Sequence, residues 1–298
     1  MGEKVYAELL KAGAQPDRIS RPRSKVLDLR VPANAVKAVK NKDLVIHLAA
    51  NVGGIGYNQR HPGQLFYDNA IMGINLIEAA HKSGVKKFVQ VGTVCAYPKF
   101  TPVPFKETSL WTGYPEETNA PYGLAKLMLL EMLQAYRREF GFNGIYLLPV
   151  NLYGPNDNFK PESSHVIPAL VKKFTDAVRN GSPEVEVWGT GKASREFLYV
   201  DDAARGIIMA TQKYEKPEPV NLGSSYEIKI KDLVKLIAQL SNYQGAIKWD
   251  KTKPDGQPRR KLDVFRAKKE FGFMSKISFP QGLKMTINWY GKQLTNKK

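Results

Sequence analysis

Tyr122 and Lys126 lie four residues apart in the stretch NAPYGLAK, a spacing that sets both side chains on one face of a helix. Pro121 suits a first helical turn, with Asn119 as the candidate cap. A free tyrosine, with a pKa of about 10, is a poor acid or base at neutral pH. A neighbouring ammonium stabilises the phenolate and brings that pKa toward the working range. Such a pair can protonate a carbonyl oxygen while hydride arrives at the carbon. The same spacing also describes any helix with an exposed Tyr and an exposed Lys, so the reading depends on what surrounds it.

The surroundings favour chemistry. GTVCAYP (92–98) follows directly on the strand-like KFVQVG, and catalytic groups in open α/β sheets gather at the carboxyl ends of strands. Thr93 is therefore placed to hydrogen-bond a substrate oxygen beside Tyr122. Cys95, two residues on, either faces the same cleft or is a small buried apolar residue. Of the four histidines, His47 inside DLVIHLAA reads as core, and His61 and His81 read as loop and helix surface. His165 stands where a polar loop meets a helix. It is either a boundary residue or an imidazole that titrates near neutrality in the cleft. In SRPRSKVLDL, Arg21 and Arg23 adjoin a predicted second strand. Arg there accommodates the 2′-phosphate of NADP, where an acidic residue would bind a ribose hydroxyl; a solvated basic loop is the other reading.

These residues need elements to position them. Residues 3–12 read as an amphipathic helix, DLVIHLAA (43–50) as a buried parallel strand and 68–83 as a helix. KFVQVG (87–92) reads as a strand, 122–140 as a long helix and GIYLLPV (144–150) as another strand. Repeated βα units predict an α/β fold, a Rossmann-like parallel sheet with helices on both faces. After Asn151 the texture turns to loop, and helices near 166–180 and 231–241 alternate with short strands. This predicts a dinucleotide-binding domain over 1–155 and a smaller C-terminal substrate lobe over 156–298, some of whose segments return to the first domain. The terminal QLTNKK is expected to fray.

With 298 residues, 43% hydrophobic and 24% charged, the chain can bury a real core. No apolar run is long enough to cross a bilayer, and the opening residues lack a signal peptide's apolar stretch. The single cysteine fits a reducing compartment, so a cytoplasmic location is expected. A net charge of +17 favours anionic ligands, but the basic clusters, Lys86–Lys87 and Arg259–Lys261, are short and scattered. That argues for a diphosphate-bearing small molecule rather than nucleic acid or a membrane. No metal site is expected.

AANVGGIG (49–56), GTVCAYP (92–98), PYGLAK (121–126), PVNLYGPNDNF (149–159), SSHVIPAL (163–170), WGTGKASREFLYVDD (188–202) and KPDGQPRRKLDV (253–264) together resemble the extended short-chain dehydrogenase/reductase family. Within it they resemble the branch that epimerises and reduces GDP-4-keto-6-deoxy-D-mannose to GDP-L-fucose. Thr93 stands where that branch usually has Ser, and Lys173 where an Arg often contacts substrate, which keeps charge but loses the bidentate fork. The resemblance implies NADP(H) as cofactor, a GDP-sugar as substrate and a homodimer through 68–83 and 122–140. It implies Cys95 as base and His165 as acid for C3 and C5, Tyr122 as proton donor at C4, Lys126 on the nicotinamide ribose and Thr93 on the ketone. Gly92, Pro149, Val150, Asn151 and Leu152 would line the cofactor with Thr93, Lys126, His165 and Arg23; Lys173, Trp188, Arg195 and Asp255 would hold the nucleotide part of the substrate. On sequence alone Trp188 is equally a core aromatic and Arg195 a surface ion pair.

One part of the expected fold lacks a counterpart. The first strand and its G-x-x-G-x-x-G turn are not recognisable; Gly2 resembles the last glycine of that fingerprint, and NVGGIG (51–56) follows a later strand. Such a central strand buries four or five apolar side chains, roughly 6–15 kcal/mol of burial. The expectation is therefore either a start further upstream or weak NADP binding. Other readings are a related nucleotide-sugar 4-epimerase or dehydratase, or a binding protein without activity.

Overall fold

The computed structural model describes residues 1–295. The first half runs α1 (Gly2–Lys11), α2 (Pro32–Val39), β1 (Leu44–His47), α3 (Ile55–Arg60), α4 (Pro62–Lys82), β2 (Lys87–Val91), α5 (Ala120–Phe140), β3 (Gly144–Pro149) and β4 (Asn151–Tyr153). The second half runs α6 (Val166–Asn180), β5 (Glu184–Trp188), β6 (Ser194–Tyr199), α7 (Val200–Lys213), β7 (Val220–Leu222), β8 (Glu227–Lys229), α8 (Ile230–Leu240), β9 (Ala246–Asp250), β10 (Arg259–Arg260), α9 (Phe265–Phe271) and α10 (Phe279–Thr295).

The central sheet is all parallel, in the order β1-β2-β3-β7. Each of its strands is a short apolar run because neighbours and helices cover both faces. β3 is buried at all six positions, whereas β1, at an edge of the described sheet, is mostly half-buried. Helices α2 and α5 both pack on α4, and α1, α7 and α9 form a second packed group. α5 shows how the sequence builds such a helix. Tyr122, Lys126, Leu129, Leu130 and Leu133 recur on one buried stripe. Arg137 and Arg138 occupy the last turn, and Gly141 closes it at φ 66°, the left-handed conformation glycine adopts without a Cβ penalty. Gly73 of α4 lies so close to Leu129 that a Cβ there would collide with it.

The second half adds a sheet in which β4, β6 and β10 run parallel and β8 pairs antiparallel to β6, together with the parallel pair β5–β9. Helices α6, α8 and α10 pack together over a separate core that includes Phe174, Val187, Leu233 and Leu283. The larger core, centred on β2, β3, α4 and α5, also takes in Leu198, Ile207, Leu222, Leu262 and Phe273. Chain beyond residue 155 therefore packs into both cores.

Three expectations change. The strand predicted before Arg23 is absent: residues 14–31 contain a short 3-10 turn at Pro16–Arg18 and further turns. Val26 and Leu27 donate their N–H groups back to the Arg23 carbonyl, and Val26 is exposed. With no described strand beside it to pair with, the segment satisfies its backbone locally. The helix expected at 68–83 begins at Pro62, where proline tolerates a first turn. Of the tail expected to fray, Gln293–Thr295 belong to α10, and 296–298 lie outside the described residues.

Candidate active site

Thr93, two residues past β2, opens the turn Val94–Ala96, its hydroxyl accepting the Cys95 N–H at 3.1 Å. That cap aims the turn at the start of α5. The helix comes very close because position 123 is glycine: a Cβ there would strike the Cys95 carbonyl. Gly92 serves similarly, since the Tyr146 ring of β3 fills the space its Cβ would take. The Tyr146 hydroxyl then donates to the Lys126 carbonyl at 2.8 Å. Thr93, Cys95, Tyr122 and Lys126 are thus fixed by the close approach at Gly123 and by Tyr146, which links β2, β3 and α5.

The electrostatics differ from the sequence expectation. Tyr122 is buried, and desolvation raises its pKa above the usual phenol value. The Cys95 sulfur pushes the same way, and the Thr93 hydroxyl opposes both. Lys126 is not among the groups that shift it. Its ammonium, 2% exposed, donates instead to the Ala49 carbonyl at 3.3 Å beyond the end of β1. Burial pulls the Lys126 pKa down to about 8. In this state Tyr122 is a firmly protonated acid, and Lys126 is a cation that can lose its proton near neutrality.

Asn119 occupies the cap position of α5, yet its side chain makes no capping bond. Its amide donates to Glu116, and its carbonyl oxygen accepts from Asn58 at 3.1 Å and from the Cys95 thiol at 3.8 Å. The expected cap is therefore a polar neighbour of the cysteine.

On its other side Cys95 meets Arg260, whose Nη1 donates to Sγ at 3.6 Å. Asn151, the first residue of β4, accepts from the same nitrogen at 3.3 Å, and Gln257 accepts from Arg260 Nε at 3.1 Å. Arg195 is the second guanidinium here. It donates to the carbonyls of Ser194 and Asp255 at 2.8 and 3.0 Å. Desolvation and the nearby Arg260 both lower its pKa. Arg195 makes no ion pair among the described residues, so the surface ion-pair reading does not hold.

His165 caps α6 with extended backbone, φ −76° and ψ 172°. The residue is exposed. Desolvation by the atoms packed around the ring lowers its pKa, Asp157 opposes that shift and Arg260 adds to it. The preceding loop is pinned to NVGGIG: Gly54 N–H donates to the Ser163 carbonyl at 3.1 Å, and a Cβ on Gly54 would strike the Ser164 carbonyl. That is the physical reason for glycine at 54.

Further out, Trp188 is 53% exposed, which removes the core reading. The ammonium groups of Lys173 and Lys253 stand 5.8 and 5.4 Å from its ring centre. Lys173 also donates to the Glu186 carbonyl at 2.8 Å. Asp255 accepts from Thr190 N–H at 2.7 Å beside Gly189, whose φ of 85° and lack of Cβ leave room for the carboxylate. Pro149 and Val150 are buried at the end of β3, and Leu152 is half-buried in β4. Arg23 stands apart on its exposed turn, with no side-chain contact to this cluster.

Sequence reasoning missed Arg260, Asn58, Gln257 and the two close-approach glycines, 54 and 123. All except Asn58 lie inside the quoted motifs, but only the fold shows what they touch.

Residues 2–223 match the family model described as NAD dependent epimerase/dehydratase family. GDP-L-fucose synthase 1 of Arabidopsis thaliana is 43% identical over 253 residues, 85% of this chain and 78% of that protein. A GDP-6-OMe-4-keto-L-xylo-heptose reductase from C. jejuni superposes with a TM-score of 0.91 at 26% identity, covering 98% of this chain and 94% of that one. A GDP-L-fucose synthetase from Naegleria fowleri bound to NADP superposes at 0.85 with 29% identity, covering 99% and 91%. The chain belongs to the NAD dependent epimerase/dehydratase family.

Proposed function

We propose that this chain converts GDP-4-keto-6-deoxy-D-mannose to GDP-L-fucose, inverting C3 and C5 and reducing the C4 ketone with NADPH. The observation that carries this reading is a single turn. Thr93 and Cys95 are two residues apart on it, and Gly123 seats it directly against the helix that bears Tyr122 and Lys126. A thiol for carbon acidity and a Tyr/Lys pair for ketone reduction are thereby brought side by side.

The C4 ketone acidifies the protons on C3 and C5. Cys95 takes such a proton onto sulfur, the electron pair moves to the enolate oxygen at C4, and His165 returns a proton on the opposite face. Tyr122, kept protonated by burial and by Cys95, donates to the C4 oxygen during reduction. Thr93 holds that oxygen. Trp188, with Lys173 and Lys253 around it, suits an electron-rich base carrying a diphosphate, and Arg195 supplies further positive charge.

The residues around Lys126 fit the nicotinamide end of the dinucleotide. Lys126 Nζ uses one of its three donors, on Ala49, which leaves donors for ribose hydroxyls at the carboxyl ends of the strands. Gly92, Pro149, Val150, Asn151 and Leu152 line the same ends, and Arg23 is assigned to the 2′-phosphate. NADPH when bound supplies the hydride for C4.

Residues 1–155 form the dinucleotide lobe and 156–298 mainly the substrate lobe. The enzyme works in the cytoplasm as a homodimer through α4 and α5, where Phe66, Tyr67 and Met128 are exposed. Among the described residues no helix is long and apolar enough to cross a membrane.

The test is direct: incubate the chain with GDP-4-keto-6-deoxy-D-mannose and NADPH, follow absorbance at 340 nm, and identify the product by NMR. GDP-L-fucose is the expected product. NADPH consumption that yields an unepimerised 4-hydroxy sugar would replace this reading with that of a plain 4-reductase.

A further inference from the structure

Every acceptor around the Arg260 guanidinium except one is a neutral amide oxygen. Nη1 donates to Asn151 Oδ1 and Nε to Gln257 Oε1, and the remaining partner of Nη1 is Cys95 Sγ at 3.6 Å. Arg260 is 6% exposed, and among the described residues neither it nor Arg195 pairs with a carboxylate. A buried guanidinium is costly unless an anion compensates it. Within this shell the only atom that can take up negative charge by losing a proton is the Cys95 sulfur.

We propose that Arg260 is the positioning residue that holds Cys95 as a thiolate, with Asn151 and Gln257 aiming its guanidinium at the sulfur. This rests on the reading of Cys95 as the C3/C5 base and deepens it by naming what makes the thiol basic at neutral pH. A charge-assisted N–H···S bond favours the ionised sulfur. Asn119 works in the opposite sense: its oxygen accepts the S–H of the neutral thiol at 3.8 Å. The sulfur therefore has a built partner in each state. As the thiolate it accepts from Arg260; once it has taken a proton from carbon, it donates to Asn119. Its proton count then balances. The C–H bond breaks, S–H forms, the electron pair enters the enolate, and the thiol and imidazole re-equilibrate with solvent before the next inversion.

Three segments far apart in sequence make this arrangement: the turn after β2, the start of β4 and the 257–260 segment entering β10. The Glu196 carboxylate, itself fully buried, accepts the Leu262 N–H at 2.7 Å and the Ser225 N–H at 2.6 Å, which fixes the segment carrying Arg260.

Cys95 is the only cysteine in the chain, so any thiol titration reports on it alone. The test is the pH profile of alkylation by iodoacetamide, followed by mass spectrometry on the free chain, for the unaltered protein, Arg260→Gln and Arg260→Lys. The unaltered chain should show a midpoint at least one pH unit below the ordinary cysteine value of about 8.5. Arg260→Gln should raise that midpoint by at least one unit, and Arg260→Lys should restore most of the difference. A midpoint at or above the ordinary value in the unaltered chain overturns the proposal, even if Arg260→Gln does not fold. So does an Arg260→Gln midpoint equal to that of the unaltered chain. This readout needs no sugar: a low, Arg260-dependent midpoint with no solvent exchange at C3 and C5 would uphold the inference and refute the base assignment.

Discussion

The two walls of the cleft are built differently. The Tyr122/Lys126 wall is local: β2, one turn and α5 lie within 87–140, and a close backbone contact at Gly123 sets the spacing of turn and helix. It is apolar and buried, so it shifts proton affinities mainly by desolvation. The arginine wall collects Cys95, Asn119, Asn151, Arg195 and Arg260 from segments up to 165 residues apart. It is polar, and besides desolvation it works through charge and hydrogen bonds. A desolvated wall suits a step in which an oxygen is protonated as hydride arrives. A charged wall suits a step in which negative charge appears on sulfur and on an enolate.

The largest effect is expected of Tyr122→Phe, which removes the proposed proton donor and leaves the arginine wall intact. NADPH oxidation should fall about 10²- to 10⁴-fold. A residual rate near that of the unaltered chain would show that another group protonates C4.

Next in size is Lys126→Met. The folded ammonium has a pKa of about 8 against about 10.4 unfolded, so below pH 8 the folded state carries a penalty on the order of 3 kcal/mol. As pH rises from 8 toward 10.4 the unfolded state binds the extra proton, and the unaltered chain gains stability. Urea unfolding should therefore find Lys126→Met more stable at pH 7 by up to about 3 kcal/mol, with the advantage gone near pH 10.5. Reduction would be lost at the same time. A destabilised variant at pH 7 would mean that the Ala49 contact outweighs the burial.

Trp188→Ala probes the rim of the charged wall. Base stacking is worth roughly 1–3 kcal/mol, so the KM for the GDP-sugar should rise about tenfold or more, with kcat falling less. A change in kcat alone would place Trp188 nearer the chemistry than its exposure suggests.

The same contrast explains what was legible in the sequence. The parallel sheet, α5 and the Thr93–Cys95–Tyr122–Lys126 set follow from apolar runs, helical spacing and one turn, all of short range. Asn119 misled because a cap preference is weak beside a buried polar partner, and here Glu116, Asn58 and Cys95 claim its side chain. Arg260 was visible only as one of three adjacent basic residues; that it is buried and points at a sulfur depends on how β10 pairs with β6. The strand expected near Arg23 was over-read from a few apolar residues, because a strand also needs a neighbour. The lowered Tyr122 pKa was inferred from spacing without the desolvation that outweighs it.

In the proposed division of labour, epimerisation belongs to the charged wall and reduction to the buried one. Cys95→Ser and Tyr122→Phe, each incubated with GDP-4-keto-6-deoxy-D-mannose in deuterium oxide, test it most directly through NMR of deuterium at C3 and C5. Tyr122→Phe should incorporate deuterium at both carbons with almost no NADPH consumed, and Cys95→Ser should incorporate none. Deuterium entering at the normal rate in Cys95→Ser would rule that division out.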